Sequence, residues 1–290
     1  MLIYVVPAGY EGAFAGSPSA CLPNVWGHQS ALGYWYDVDG DGIQDPGEVV
    51  SAPVLDGKTV GHFSDSGYAM SGEWHNRHPS PDPAHPTLPA NCDASDPAGH
   101  QATIGIEVHE MGHLFQLPDL YDVGCDSSSN SSGAGDWEVM AGGSWNWSGA
   151  FAGGWATSGD RPAHMSAWSK WYKGWLTPTE VTGPLIGASI PRVEDAPGPS
   201  RGVYQLRSNS GGVDWDFDGG PGGSGEFFLA ENRQPVGYDT GLPGAGLLIW
   251  HLYEALPGDN CVNADEGTSP PGNPRLVVLA QADGLFGLEC

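Results

Sequence analysis

The feature that most constrains this chain is the pentapeptide His109-Glu110-Met111-Gly112-His113, an H-E-x-x-H pattern. Two histidines four positions apart lie one turn apart on the same face of an α-helix. Their imidazoles can then share one Zn²⁺ and leave coordination positions open for a third ligand and a water. Glu110, next to the first histidine, can reach that water and act as general base. The pattern therefore requires a helix here and predicts a catalytic metal site.

The surrounding residues favour a helix over about 101–116. Apolar residues at 104, 108, 111 and 115 follow helical spacing, although the positions before 108 also alternate. The helix should end before Pro118, because the residue before a proline is pushed out of the α region. A turn there would bring Asp119, six residues past His113, back toward the metal as a third ligand. The alternative is a buried helix with two ordinary histidines, which the carboxylate beside them disfavours.

The stretch HEMGHLFQLPDLYD resembles the extended signature H-E-x-x-H-x-x-G-x-x-D of the immune inhibitor A-type secreted metalloproteases, which belong among the metzincin-like zinc peptidases. The resemblance implies zinc ligands at His109, His113 and Asp119, and a general base at Glu110. One position departs from the family, because Gln116 stands where the signature has glycine. Glycine readily takes positive φ where a chain leaves a helix. Glutamine must adopt that conformation at some cost, or the turn must differ.

A second stretch, GDWEVMAGGSW at residues 135–145, resembles the segment around the Met-turn of the same family. The resemblance implies that Met140 forms a hydrophobic floor beneath the metal, which is compatible with a methionine that fills space in the core. Glu138 is a competing third ligand, because another branch of zinc peptidases takes a glutamate from well downstream of the second histidine. Segments at 226–254, at 275–284 and at the start of the chain also resemble the family. The resemblance does not extend to the family's N-terminal propeptide, to the first part of its catalytic domain or to its downstream region, so we expect an internal piece of a larger precursor.

The expected fold class is α+β. A zincin- or metzincin-like catalytic portion with a mixed sheet and the active-site helix is predicted over residues 1–176, followed by a β-rich portion over 177–290. A second helix is predicted over about 162–173, capped by Asp160 and stopped by Gly174. Apolar segments predict later strands near residues 202–207, 226–232, 245–252 and 275–281.

A second metal signal lies at residues 37–48, which fit the calcium-loop pattern D-x-D-x-D-G-x5-E. Pro46 and Gly47 forbid a normal exiting helix, so the loop would belong to a scaffold other than an EF-hand pair. Five carboxylates within twelve residues repel one another unless a cation bridges them, which favours calcium over a solvated acidic turn. The expected ligands are Asp37, Asp39, Asp41, the Ile43 carbonyl, Asp45 and Glu48.

The charge of the chain restricts its partners. Ten basic against 35 acidic residues give a formal net charge of −25, which disfavours nucleic acid and anionic membrane surfaces and attracts cations. No segment has the length and apolarity of a membrane span, so no membrane insertion is expected. The start of the chain lacks the features of a signal peptide, so the expected export is an inference and is not read from a signal. Five cysteines lie far apart without a C-x-x-C pair, which argues against a cysteine zinc site.

These features together predict a secreted zinc endopeptidase that acts on protein or peptide substrates. A zinc-activated water would attack the peptide bond, with Glu110 as general base, and the expected cofactors are Zn²⁺ and Ca²⁺. Two alternatives stay open: a calcium-stabilised extracellular binding module with an inactive metal site, and a zinc hydrolase for another substrate class. An intact Glu110 argues against the binding module. The sequence predicts no particular oligomeric state.

Overall fold

The computed structural model describes residues 2–13, 24–35, 49–61, 67–75, 100–121, 132–147, 158–206, 226–253 and 277–280. The described residues combine two α-helices and short 3-10 helices with several sheets, as the α+β prediction requires. Contacts divide the chain into two compact units, Met1–Leu117 and Pro118–Cys290. The domain boundary predicted at residue 176 differs from this division and stays a prediction. The calcium loop predicted at residues 37–48 and all five cysteines lie outside the described residues.

The first unit consists of short strands and one helix. In chain order these are β1 (Tyr4–Val5), β2 (Tyr10–Glu11), β3 (Asn24–Val25), β4 (His28–Ser30), β5 (Tyr34–Trp35), β6 (Val49–Val50), β7 (Val54–Leu55), β8 (Lys58–Thr59), β9 (Tyr68–Met70), β10 (Trp74–His75), β11 (His100–Gln101) and α1 (Ile104–Leu114). One mixed sheet has the order β1-β9-β4, with β1 parallel and β4 antiparallel to β9. A second has the order β11-β10-β2-β3. The pairs β5-β6 and β7-β8 are separate antiparallel ribbons.

Helix α1 begins after the N-cap residue Thr103 and packs against β4 and β9. The predicted start near residue 101 is wrong, because His100 and Gln101 pair with β10 as a strand. The alternating apolar residues from 104 onward lie in the helix itself. The helix ends at Leu114, ahead of Pro118 as predicted. Among the described residues, no helix is long and apolar enough to cross a membrane.

A buried carboxylate joins three loops of the first unit. Glu11, the last residue of β2, is 0 % exposed. Its Oε1 accepts the N–H groups of Ala13 and Gly27 at 2.9 Å each, and its Oε2 accepts the N–H of Gly72 at 2.8 Å. Gly27 lies so close to α1 that an added Cβ would come within 2.7 Å of Ile106 Cγ1. Glu11 thus fixes the loops that surround the helix.

The second unit is built on a five-stranded sheet. Its elements are 3-10 helices at Gly135–Trp137, Gly142–Trp145 and Gly237–Gly241, the helix α2 (Ala167–Tyr172) and the strands β12 (Thr179–Val181), β13 (Tyr204–Leu206), β14 (Glu226–Arg233), β15 (Gly246–Tyr253) and β16 (Val277–Leu279). The strand order is β12-β13-β14-β15-β16, with β12 parallel to β13 and the other pairs antiparallel. The last four strands lie where their apolar segments predicted them.

Helix α2 is shorter than predicted at its start. Ser166, and not Asp160, is the N-cap, and its Oγ accepts the N–H of Ser169 at 3.2 Å. The residues just before it are not helical, because their backbone groups bond to side chains: the N–H of His164 donates to Asp239 Oδ1 at 2.8 Å. The predicted stop is confirmed, since Gly174 follows the helix with φ +69°.

Arg233 and Asp239 anchor the entry to α2. Both are 0 % exposed, and the guanidinium donates from Nε and Nη2 to the two carboxylate oxygens at 2.7 Å each. Burial acts to raise the pKa of Asp239, but the hydrogen bonds and charge of Arg233 lower it below its ordinary value. Because the carboxylate of Asp239 also accepts the N–H of His164, this ion pair joins β14 to the segment that leads into the helix.

Replacement of Glu11 tests its role in the first unit. In Glu11→Gln a side-chain amide donor meets a backbone N–H donor, so a buried group loses its acceptor. We expect the free energy of unfolding to fall by about 1–3 kcal/mol, measured by denaturant titration. Glu73→Gln, which removes the same charge from an exposed position, is the matched control and should change stability by less than about 0.5 kcal/mol. Equal stability of the two variants would show that the three N–H groups do not depend on the carboxylate.

Candidate metal centre

Helix α1 places the two histidines of the H-E-x-x-H pattern on one face. The rings of His109 and His113 stand edge to face, with centroids 4.9 Å apart and planes at 89°. His109 and Glu110 are each 5 % exposed, and His113 is half-buried. The helical period brings these side chains together as the spacing predicted.

The chain leaves α1 through a Schellman motif, in which two N–H groups beyond the helix bond back to its last carbonyls. The N–H of Leu117 donates to Gly112 O at 3.1 Å, and the N–H of Gln116 donates to His113 O at 2.8 Å. Gln116 itself has φ +61°, close to the +69° of Gly174 after α2. Glutamine therefore adopts the left-handed conformation here, which is the first of the two alternatives that the sequence left open.

The same turn orients the second histidine. Nδ1 of His113 lies 2.7 Å from the carbonyl oxygen of Leu117. A carbonyl oxygen only accepts, so Nδ1 carries the proton and the lone pair of Nε2 is left for a metal. Hydrogen bonds of this kind fix the tautomer and ring orientation of metal-binding histidines. Sequence reasoning missed Leu117, because a backbone acceptor has no residue-type signal.

Asp119 completes a group of possible metal ligands. One nitrogen each from His109 and His113 and one carboxylate oxygen of Asp119 all lie within 4.8 Å of one another. Across the described ranges, this is the one such group of three or more His, Cys, Asp or Glu side chains. Two imidazoles and a carboxylate form a three-ligand set suited to zinc, with a coordination position left open. The residues present therefore fit the metal that the pattern predicted.

Both backbone polar groups of Leu120, the residue after Asp119, are hydrogen-bonded. Leu120 is 0 % exposed, its N–H donates to Met140 O at 2.8 Å, and its carbonyl accepts the N–H of Ala134 at 2.8 Å. Met140, the residue predicted for the Met-turn, is also 0 % exposed. Its carbonyl therefore has a defined role in this turn, while a role of its side chain beneath a metal stays a prediction.

Glu138, the competing ligand, lies outside the His-His-Asp group. It is 0 % exposed, and its Oε1 accepts the N–H of Met140 at 3.2 Å. Its Oε2 accepts the N–H of Ser166 and the hydroxyl of Ser169, the latter at 3.2 Å. Burial raises the pKa of the Glu138 carboxyl, and the hydrogen bonds from Ser166 and Met140 oppose that shift. Both oxygens are thus engaged at the start of α2 and in the 138–140 turn.

The charge of Glu110, the predicted general base, acts on the hydroxyl of Tyr4. Burial raises the pKa of Tyr4 well above its ordinary value, and the negative charges of Glu107, Glu110 and Glu11 act in the same direction. Its hydroxyl therefore stays protonated at neutral pH, and it donates to Ser71 Oγ at 3.0 Å. No motif marks Tyr4 in the sequence, because the charges that act on its hydroxyl come together only in the folded first unit.

Comparison with known proteins agrees with this geometry. Residues 94–176 match the family model of the immune inhibitor A peptidase M6 catalytic domain. The matched segment includes α1, the turn after it, the 138–140 turn and α2. The other stretches that resemble the family lie outside it, and no curated protein matches the chain. This match supports the prediction that the chain is a fragment of an immune inhibitor A-type metalloprotease.

Proposed function

We propose that this protein is a secreted zinc endopeptidase whose metal is held by His109, His113 and Asp119 and whose general base is Glu110. One observation carries the proposal: the ligand atoms of the three side chains lie within 4.8 Å of one another, on a segment that matches a peptidase catalytic domain. Two histidines and a carboxylate with an adjacent glutamate are the groups that zinc-dependent peptide hydrolysis requires.

Each residue has a distinct task in this mechanism. When bound, Zn²⁺ supplies Lewis-acid chemistry, since it makes a water more acidic and polarises the scissile carbonyl. Glu110 takes the proton from the attacking water and later delivers it to the leaving amine. The carbonyl of Leu117 keeps the proton of His113 on Nδ1, so that Nε2 remains a ligand.

The family match supports the wider proposal. A metallopeptidase acts on proteins or peptides, which are therefore the proposed substrates. Export is supported by the acidic composition, and a calcium ion at residues 37–48 and a Met-turn at Met140 remain part of the proposal. A binding module with an inactive metal site is disfavoured because the candidate base, Glu110, is intact and buried beside the histidines.

Zinc content tests the ligand set. The wild-type protein, purified without chelator, should hold one zinc per chain by elemental analysis. His113→Ala and Asp119→Ala should each lose most of it, because two protein ligands bind zinc far more weakly than three. Glu107→Gln is the matched control, since it alters an acidic residue of the same helix outside the ligand group, and it should keep its zinc. Full occupancy of both ligand variants would contradict the site.

Casein hydrolysis tests the base. Glu110→Gln should fold and bind zinc normally but hydrolyse casein at least about a hundredfold more slowly, the lower end of what a positioned base contributes. Inhibition of the wild type by a chelator, with recovery on added Zn²⁺, separates a zinc peptidase from a metal-independent contaminant. Near-normal turnover by Glu110→Gln would assign the base to another residue, and no turnover by the zinc-loaded wild type would favour a binding module.

Substitution of Gln116 tests the turn that precedes Asp119. A left-handed backbone costs a non-glycine residue about 1–2 kcal/mol, whereas glycine avoids that cost but loses about 0.5–1 kcal/mol through the flexibility of its unfolded chain. Gln116→Gly should therefore be at least as stable as the wild type and bind zinc as tightly. Gln116→Val, with a β-branched side chain, should be less stable by about 1–3 kcal/mol and bind zinc more weakly. Thermal melts and zinc titrations check both, and an unimpaired valine variant would contradict the structure of this turn.

A further inference from the structure

A series of hydrogen bonds leads from the start of α2 to the segment that carries Asp119. Its first link is Leu120, which directly follows the proposed ligand. The N–H of this buried residue donates to the carbonyl of Met140 at 2.8 Å. The peptide group between Asp119 and Leu120 is therefore located by the position of Met140.

The second link is the carboxylate of Glu138. Its Oε1 accepts the N–H of Met140 at 3.2 Å, and its Oε2 accepts from Ser166 N–H and from Ser169 Oγ. These three partners donate, and an ionised carboxylate only accepts, so its chemistry matches its surroundings. Glu138 thus fixes both ends of the turn 138–140 to the first turn of α2.

We infer that Glu138 is a positioning residue for the proposed metal centre: it holds Met140, whose carbonyl holds Leu120 and so places the carboxylate of Asp119. This inference rests on the proposed function of the His109, His113 and Asp119 group. Some residues hold metal ligands in place without contacting the metal. Their substitution typically lowers metal affinity by about 10–100-fold. A direct ligand would instead abolish zinc binding, so the two roles can be separated.

The test uses Glu138→Gln, which keeps the size of the side chain but turns one acceptor into a donor. In the metal-free protein, the amide of Leu120 should exchange its hydrogen faster than in the wild type, because Met140 O no longer holds it in place. Zinc affinity, measured by competition with a chelator well below the melting temperature, should fall by about 10–100-fold. The absorption spectrum of the Co²⁺-substituted protein should change as well, since the ligand geometry is altered.

Glu231→Gln is the matched control. Glu231 is also 0 % exposed and also bonds at the start of α2, where its Oε1 accepts Ala167 N–H at 3.3 Å. The same oxygen accepts the indole N–H of Trp250 at 2.8 Å and Nη1 of Arg233 at 3.4 Å, so this carboxylate bonds toward the sheet. The control should lower the melting temperature but leave Leu120 exchange and zinc affinity unchanged. If Glu138→Gln fails to fold, Ser169→Ala removes one donor from Glu138 and should shift both measurements in the same direction by a smaller factor.

Three results would overturn the inference. If Glu138→Gln kept the Leu120 exchange rate and the zinc affinity of the wild type, Glu138 would have a purely structural role. Loss of zinc from Glu138→Ala, with zinc retained by Asp119→Ala, would make Glu138 the ligand. Unchanged zinc binding in both His113→Ala and Asp119→Ala would remove the metal centre itself and with it the positioning role. That last failure is distinguishable, because Leu120 exchange in the metal-free protein reports on the hydrogen bonds alone.

Discussion

The left-handed backbone of Gln116 is the constraint on which the candidate centre depends. If α1 continued through it, Asp119 would lie about 9 Å beyond His113 along the axis, because each residue adds about 1.5 Å. With φ at +61° the chain reverses, Leu117 N–H bonds to the helix, and the carbonyl of Leu117 meets His113 Nδ1. One backbone conformation thus ends the helix, selects the tautomer of a histidine and returns a carboxylate to it. The cost of a non-glycine residue at this point is offset by the hydrogen bonds that the turn completes.

Each of the two units contains a buried carboxylate that accepts backbone N–H groups. The chain has 35 acidic and 10 basic residues, so cationic partners are scarce for its acids. Glu11 in the first unit and Glu138 in the second accept several donors from loops and helix starts instead. This arrangement satisfies two costly groups at once, since neither a buried carboxylate nor a buried N–H is tolerated without a partner. Asp239 is held differently, because it has the buried guanidinium of Arg233 as its partner.

Asp119 and Glu138, the two acids considered for the third ligand, have different partners in this structure. Asp119 joins the histidines in one group, whereas both oxygens of Glu138 are engaged by Met140, Ser166 and Ser169. A carboxylate with three donors around it gains little from a metal, because binding would require it to give up those hydrogen bonds. The proposed division between a ligand and a residue that positions it follows from this difference in partners.

Local relations in the chain were predictable from its residues, and relations between distant segments were not. The helical period alone places His109 and His113 on one face, and runs of apolar residues located the later strands, since both patterns depend on near neighbours. The helix was predicted to start about three residues too early, because Gln101 pairs with a strand that is distant in the sequence. The conformation of Gln116, the carbonyl that bonds to His113 and the donors around Glu138 could not be predicted from residue types. Backbone donors and acceptors are the same at almost every position, and Glu138 meets Ser166, 28 residues away, only after the chain has folded.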